Sequence, residues 1–380
     1  MKTRRVVKLK KIFLNFSLLA FSLCTFASPP KISNGYGLLT YIQKIKDKEL
    51  IHNIRMISYK GSPNRFFGTT GHEKIQELLD KTLKSFNSDE SITFETQNFL
   101  PNVEVGKKFF QDDFDQKIKA NFTADSPEFK KWNSFNMYMQ KLVVSKKDKV
   151  GKNFIWSKKG KSTKTIVLTA HYDTISHQKE GLKVNEKEKM PGADFNASGV
   201  SLLLSLIKLI APLELENTVK IVFLDAQSIG YLGSYEYAQK LKNSSLDIQG
   251  VINFEMLGHD SKVLDKEKKL NNFKVYMRDQ RSDQEHLDER LYKSFTFLSK
   301  KMGGIIKFEP TKNNFKKSDQ FRFWEANIPS IVFTQNWESD FNPRFQTPND
   351  FPETINLKTF NFAFRSIALS TIGYLLDLKR

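Results

Sequence analysis

His171 closes the apolar run 165–170, and Asp173 follows two places on. An imidazole at a strand end is a natural metal ligand, and a neighbouring carboxylate can fix its tautomer. A metal held there would polarise a carbonyl and activate water, with a carboxylate base taking the water proton. Alone, a histidine at a strand end is more often structural than ligating, so the surrounding residues decide. Asp194 lies in the stretch 191–199, Gln227 and Ser228 in 221–234, Glu255 near the end of 251–256, and Gln346 at the start of 346–350. His177 and His259 flank this set, either as loop histidines or as ligands that swing in to complete a three-ligand site. His52, His72 and His286 lie apart and read as structural or solvated.

The elements that must position these residues follow from periodicity. Residues 37–60 carry Leu38, Ile42, Ile45 and Leu50 at helical spacing, and 73–86 place Ile75, Leu78, Leu79 and Leu83 on one helix face. Alternation predicts a strand over 91–99. From residue 150 the pattern alternates: strands at 152–157 and 165–170, a helix at 200–210, a strand at 219–225, and a helix through 237–241. A strand at 251–256, a helix at 287–302, a strand at 328–333 and a closing helix at 359–376 complete it. Apolar strands between helices predict an α/β fold, a mostly parallel central sheet with helices on both faces. Sites in such folds lie beyond the carboxyl ends of the strands, which is where His171, Gln227 and Glu255 fall. Residues 101–140 are polar and aromatic and read as an insertion or flap. The expected organisation is a leader at 1–27, a helical lead-in at 28–60 and a single domain at 61–380.

Taken in order, the segments 165–174, 191–199, 221–234, 253–258 and 346–350 resemble the zinc aminopeptidases of peptidase family twenty-eight and the related glutaminyl cyclases. The resemblance covers roughly residues 60–375 and implies the zinc aminopeptidase, phosphorylase-hydrolase-like sheet. It also implies two zinc ions sharing a bridging aspartate, with a glutamate as general base next to a ligand glutamate. His171 matches the first histidine ligand and Asp173 its orienting partner. The bridging aspartate position is held by Phe195, with Asp194 one place early. Gln227 holds the base position and Ser228 the ligand glutamate position. Glu255 stands for an aspartate ligand, Gln346 for the late histidine, and Gln320 for the histidine of a Ser-Asp-His segment at 318–320. Glutamine keeps the shape of the base but takes no proton at neutral pH, a loss of about 10²–10⁴-fold in rate. Phenylalanine does not ligate zinc, and serine ligates it poorly.

Composition sets the setting. Of 380 residues, 39% are hydrophobic and 33 are Phe, enough for a real core. Residues 1–27 carry six basic and no acidic side chains ahead of a short apolar stretch at 12–26, and read as a secretory signal rather than a membrane span. Their removal lowers the net charge from +18 to +12. The only cysteine, Cys24, lies inside that leader, where it would also be the lipidated residue of a lipoprotein. The mature chain is therefore expected to be periplasmic or secreted, without disulfides. Basic clusters such as 158–161 read as solvated loops or as a surface for anionic envelope polymers. No nucleic-acid recognition motif is present.

These readings favour an exported, non-catalytic peptidase-like protein that binds a peptide, a polymer or a protein partner, with no cofactor expected. The alternatives are an active aminopeptidase-type hydrolase with a shifted zinc site on His171, Asp194 and Glu255, and a structural envelope protein.

Overall fold

The computed structural model describes residues 29–86, 89–175, 177, 182–261, 273–302 and 308–378. The expected leader 1–27, with Cys24, lies outside them. The lead-in is two helices rather than one, α1 (Gly35–Ile42) and α2 (Asp47–Lys60), because the chain turns at 43–46. The Asn34 side chain caps α1, and Thr69 caps α3 (Thr70–Lys84) by accepting from the His72 amide. The edge strand β1 (Ile92–Phe99) follows.

Residues 101–140 form a helical hairpin, α4 (Val103–Phe114) and α5 (Pro127–Ser145). Asn102 and Ser126 cap the two helices, and Pro127 opens α5 where no backbone donor is needed. The remaining elements are β2 (Gly151–Lys158), β3 (Lys164–His171), α6 (Ser198–Ile210), β4 (Thr218–Leu224) and α7 (Leu232–Lys242). After them come β5 (Asp247–Phe254), β6 (Phe273–Met277), α8 (Glu285–Lys301), β7 (Glu309–Lys312), α9 (Gln320–Glu325), β8 (Ser330–Gln335) and α10 (Leu357–Leu375).

The strands form one sheet in the order β1-β2-β4-β3-β5-β8-β6-β7. Its centre, β4-β3-β5-β8, is parallel, while β1, β2 and β4 pair antiparallel, as do β6 and β8. Period-two alternation separates the two faces. Ile166, Leu168 and Ala170 of β3 pack toward α1, α2, α3, α6, α8 and α10, while Val167 packs toward α7 and α9. A third apolar cluster joins α5 and the loops at the strand carboxyl ends through Met139, Val143, Ile175, Phe195, Ile229 and Met256. Among the described residues, one helical stretch is long and apolar enough to cross a bilayer, Ala193–Ile210, and it is buried in the core.

Candidate functional site

His171 ends β3, and its imidazole is completely buried. Nδ1 lies 3.1 Å from the Asp173 carbonyl oxygen and 3.6 Å from its carboxylate. Nε2 faces Glu255 Oε1 at 3.6 Å, and neither atom has a hydrogen bond of good geometry. The second Glu255 oxygen accepts from the Ser318 hydroxyl, which in turn accepts from Asn253 Nδ2 at 2.7 Å. Burial alone would lower the His171 pKa, but the carboxylates of Asp173 and Glu255 override it and raise the value to about 10. The Asp173 carboxylate is held low despite its burial, by His171 and by hydrogen bonding from Ser228.

Asp173 has a second task. Its carboxylate accepts the amides of Gln227 and Ser228 at 3.1 and 2.9 Å, which fixes the short turn after β4. That turn starts at Ala226 and leads to Tyr231, both in the left-handed backbone region. Met256 and Gln346 adopt it too. Non-glycine residues take this conformation at a cost, and such positions gather at functional sites. The backbone frame around His171 thus keeps a demanding geometry.

The stretch 191–199 shows where the two rival acids go. Gly192 turns the chain at φ +58, where a Cβ would meet Thr174 and the Phe195 carbonyl. Asp194 then points away from His171: one oxygen accepts the Gly258 amide at 2.7 Å and the other Asn342 Nδ2 at 2.8 Å. A shifted ligand set on His171, Asp194 and Glu255 is accordingly not assembled, because the Asp194 carboxylate is already spent on the loop after β5 and on Asn342. Among the described residues, no group of three His, Cys, Asp or Glu side chains stands ready to hold a metal. Phe195 points the other way. Its buried ring lies 4.9 Å from the imidazole centroid and 4.6 Å from the Phe345 ring, edge to face.

Asp350 supports this loop from the Thr-Pro-Asn-Asp turn. Its carboxylate accepts the amides of Asp194 and Phe195, both at 3.0 Å. Burial and the adjacent Asp194 raise its pKa. Arg65, fully buried, ties the same loop to β3 by donating to the carbonyls of Tyr172, Pro191 and Gly192. Neither Arg65 nor Asp350 was singled out from the sequence. For Asp350 the signal was its place in the turn after Gln346; Arg65 gave none.

In front of Phe195 and Phe345 lies a cleft of about 500 Å³. Gln227, Ser228 and Gln346 line its floor, and α4 and α5 roof it with Phe109, Phe110, Phe114, Trp132, Phe135 and Met139. The segment read as a flap is thus the roof of the cleft. Phe109 stacks on Phe321 and meets Tyr231 edge to face, which seats α4.

The other sequence candidates resolve as follows. His177 lines the cleft beside Phe135 rather than lying in an open loop, and burial lowers its pKa. His259 faces Asp340 at 3.4 Å, away from His171. His72 is buried and pairs with Asp225 at 2.7 Å, whereas His52 and His286 are exposed. Gln320 is buried with its amide donating to the Phe315 carbonyl. Beside it Asp319 is fully buried with no well-formed hydrogen bond, and burial raises its pKa to about 7. The basic cluster 158–161 is not uniformly solvated: Lys158 is buried and reaches Asp89 at 3.1 Å.

Comparison with known proteins agrees with this architecture. A zinc aminopeptidase from Bacillus subtilis superposes with a TM-score of 0.61 at 17% identity, covering 88% of this chain and 96% of that one. The glutaminyl cyclase of Porphyromonas gingivalis gives 0.58 at 16%, covering 86% and 97%. In sequence, leucine aminopeptidase 1 of Pyrenophora tritici-repentis (strain Pt-1C-BFP) is 31% identical over 112 residues, 28% of each chain. A probable zinc metalloprotease of the same fungus is 28% identical over 96 residues, 25% of this chain and 19% of that protein. The chain spans less than a third of the length of these curated relatives. The sequence profile of peptidase family M28 matches residues 153–370, more than half of the chain, from within β2 to within α10 and across His171, Phe195, Gln227 and Glu255, so the chain belongs to that family.

Proposed function

We propose that this chain is a non-catalytic member of peptidase family M28, exported through residues 1–27, that binds a peptide or protein partner in the cleft beneath α4 and α5. The observation that carries this reading is Phe195. By the family resemblance it stands at the bridging aspartate position, and its ring packs between His171 and Phe345. The remaining donors do not fit a catalytic zinc. His171 and Glu255 are two protein ligands where such a zinc takes three. Gln227 and Ser228 stand at the base and ligand positions without a carboxylate between them. Fold alone does not establish activity.

The test is elemental analysis of the protein after gentle purification, together with an assay on aminoacyl and dipeptide substrates. Substoichiometric zinc and no hydrolysis are expected. Tight one-to-one zinc with zinc-dependent turnover would overturn the reading. Export is tested separately by the mass of the protein recovered outside the cytoplasm, which should match a chain beginning at Ser28.

A further inference from the structure

The cleft carries an excess of positive charge. Three lysines line it, Lys117, Lys316 and Lys317, against one acid, Asp113. Asp113 is already paired with Lys117 one helical turn away. Among the described residues neither Lys316 nor Lys317 forms an ion pair, and both are exposed at the mouth. Partial burial, and then the Lys117 ammonium, lower the pKa of Lys317, and the Asp113 carboxylate opposes them without restoring it. A free peptide amine entering here would meet two unneutralised ammonium groups. A carboxylate would complete them.

The walls add a second requirement. Phe110, Phe114, Trp132, Phe135, Trp337 and Phe341 surround the space with aromatic surface. The floor supplies Gln227, Gln346 and the Ser228 hydroxyl, which has no well-formed hydrogen bond within the chain. Glutamine offers both a donor and an acceptor, which suits a peptide unit. The cleft volume of about 500 Å³ falls among small-ligand sites and is too small for a long polymer run. Phe345, backed by Phe195, closes the floor, so the cleft takes a last side chain rather than a chain passing through.

We propose that the cleft binds the carboxyl-terminal end of a peptide, with its carboxylate at Lys316 and Lys317 and an apolar or aromatic last side chain among the rings of α4, α5 and the Trp337–Phe345 loop. This rests on the peptide-binding reading above and gives it a direction: the protein takes a carboxyl end rather than an amino end.

The experiment is calorimetric titration of the protein with N-acetyl-Ala-Phe, its C-terminal amide, and Ala-Phe-amide with a free amine. The free acid should bind about tenfold or more tightly than its amide, and the preference should weaken with salt. The double variant Lys316→Gln, Lys317→Gln should lose the preference while keeping its melting temperature, since both side chains are exposed. Equal binding of acid and amide, or tightest binding of the free amine, would overturn the proposal. Tighter binding of a uronic-acid trisaccharide would reassign the cleft to anionic sugars. No heat with any peptide would sink the proposal and the peptide-binding reading together. Cleavage of Ala-Phe-amide would sink only the non-catalytic reading, because the acetylated pair still reports the preference for a carboxylate.

Discussion

Phe195 and His171 form a contact in which each depends on the other's type. The aromatic ring packs on the buried imidazole and helps to enclose it. Replacing Phe195 with Ala should open a cavity and cost about 3–5 kcal/mol, read from urea unfolding at neutral pH. The pH dependence has a definite sign. The folded pKa of His171 is about 10, above the unfolded value, so its contribution is complete below about pH 6.5 and fades as pH rises through 10. Asp319 behaves differently. Its carboxyl is raised to about 7, so the native state holds a proton the unfolded chain has lost, and stability falls between about pH 4 and 7. Asp319→Asn should flatten that slope and stabilise the protein at pH 8 by on the order of a few kcal/mol, measured by denaturant titrations across pH. The site positions themselves were legible in the sequence because the flanking glycines and the Thr-Pro-Asn-Asp turn fix the register. The direction of each side chain was not. Asp194 and Phe195 are adjacent, yet one faces the loop after β5 and the other the imidazole, and only the fold around Gly192 decides which.

At the scale of elements, the parallel centre of the sheet was readable because β3, β4 and β5 are continuous apolar runs, the signature of strands covered on both faces. The edge was not: β7 is exposed and includes Pro310, and β6 is short, so neither offers alternation to recognise. α9 is six residues long, too short for periodicity to show. The α4–α5 hairpin was hidden for another reason. Its aromatic residues face the cleft as well as the core, so its apolar face is broad and interrupted by lysines. Its seating makes a prediction. Phe109 holds α4 through Phe321 and Tyr231, and Phe109→Ala should speed hydrogen exchange in α4 by about tenfold while β3 and β5 stay protected. Unchanged exchange there would mean that the roof is held by α5 alone.

For the whole molecule, the sheet and its two layers of helices bury a continuous apolar core from α1 to α10. A ligand that binds the native state raises the melting temperature with its concentration. Micromolar zinc, or a chelator, should therefore leave the melting temperature unchanged in differential scanning fluorimetry, and a zinc-dependent rise would contradict the site proposed for His171. The enclosure of His171 between Asp173, Glu255 and Phe195 carries a consequence for metal supply. On the non-catalytic reading proposed above, the chain would mature at the same rate in zinc-starved and zinc-rich surroundings.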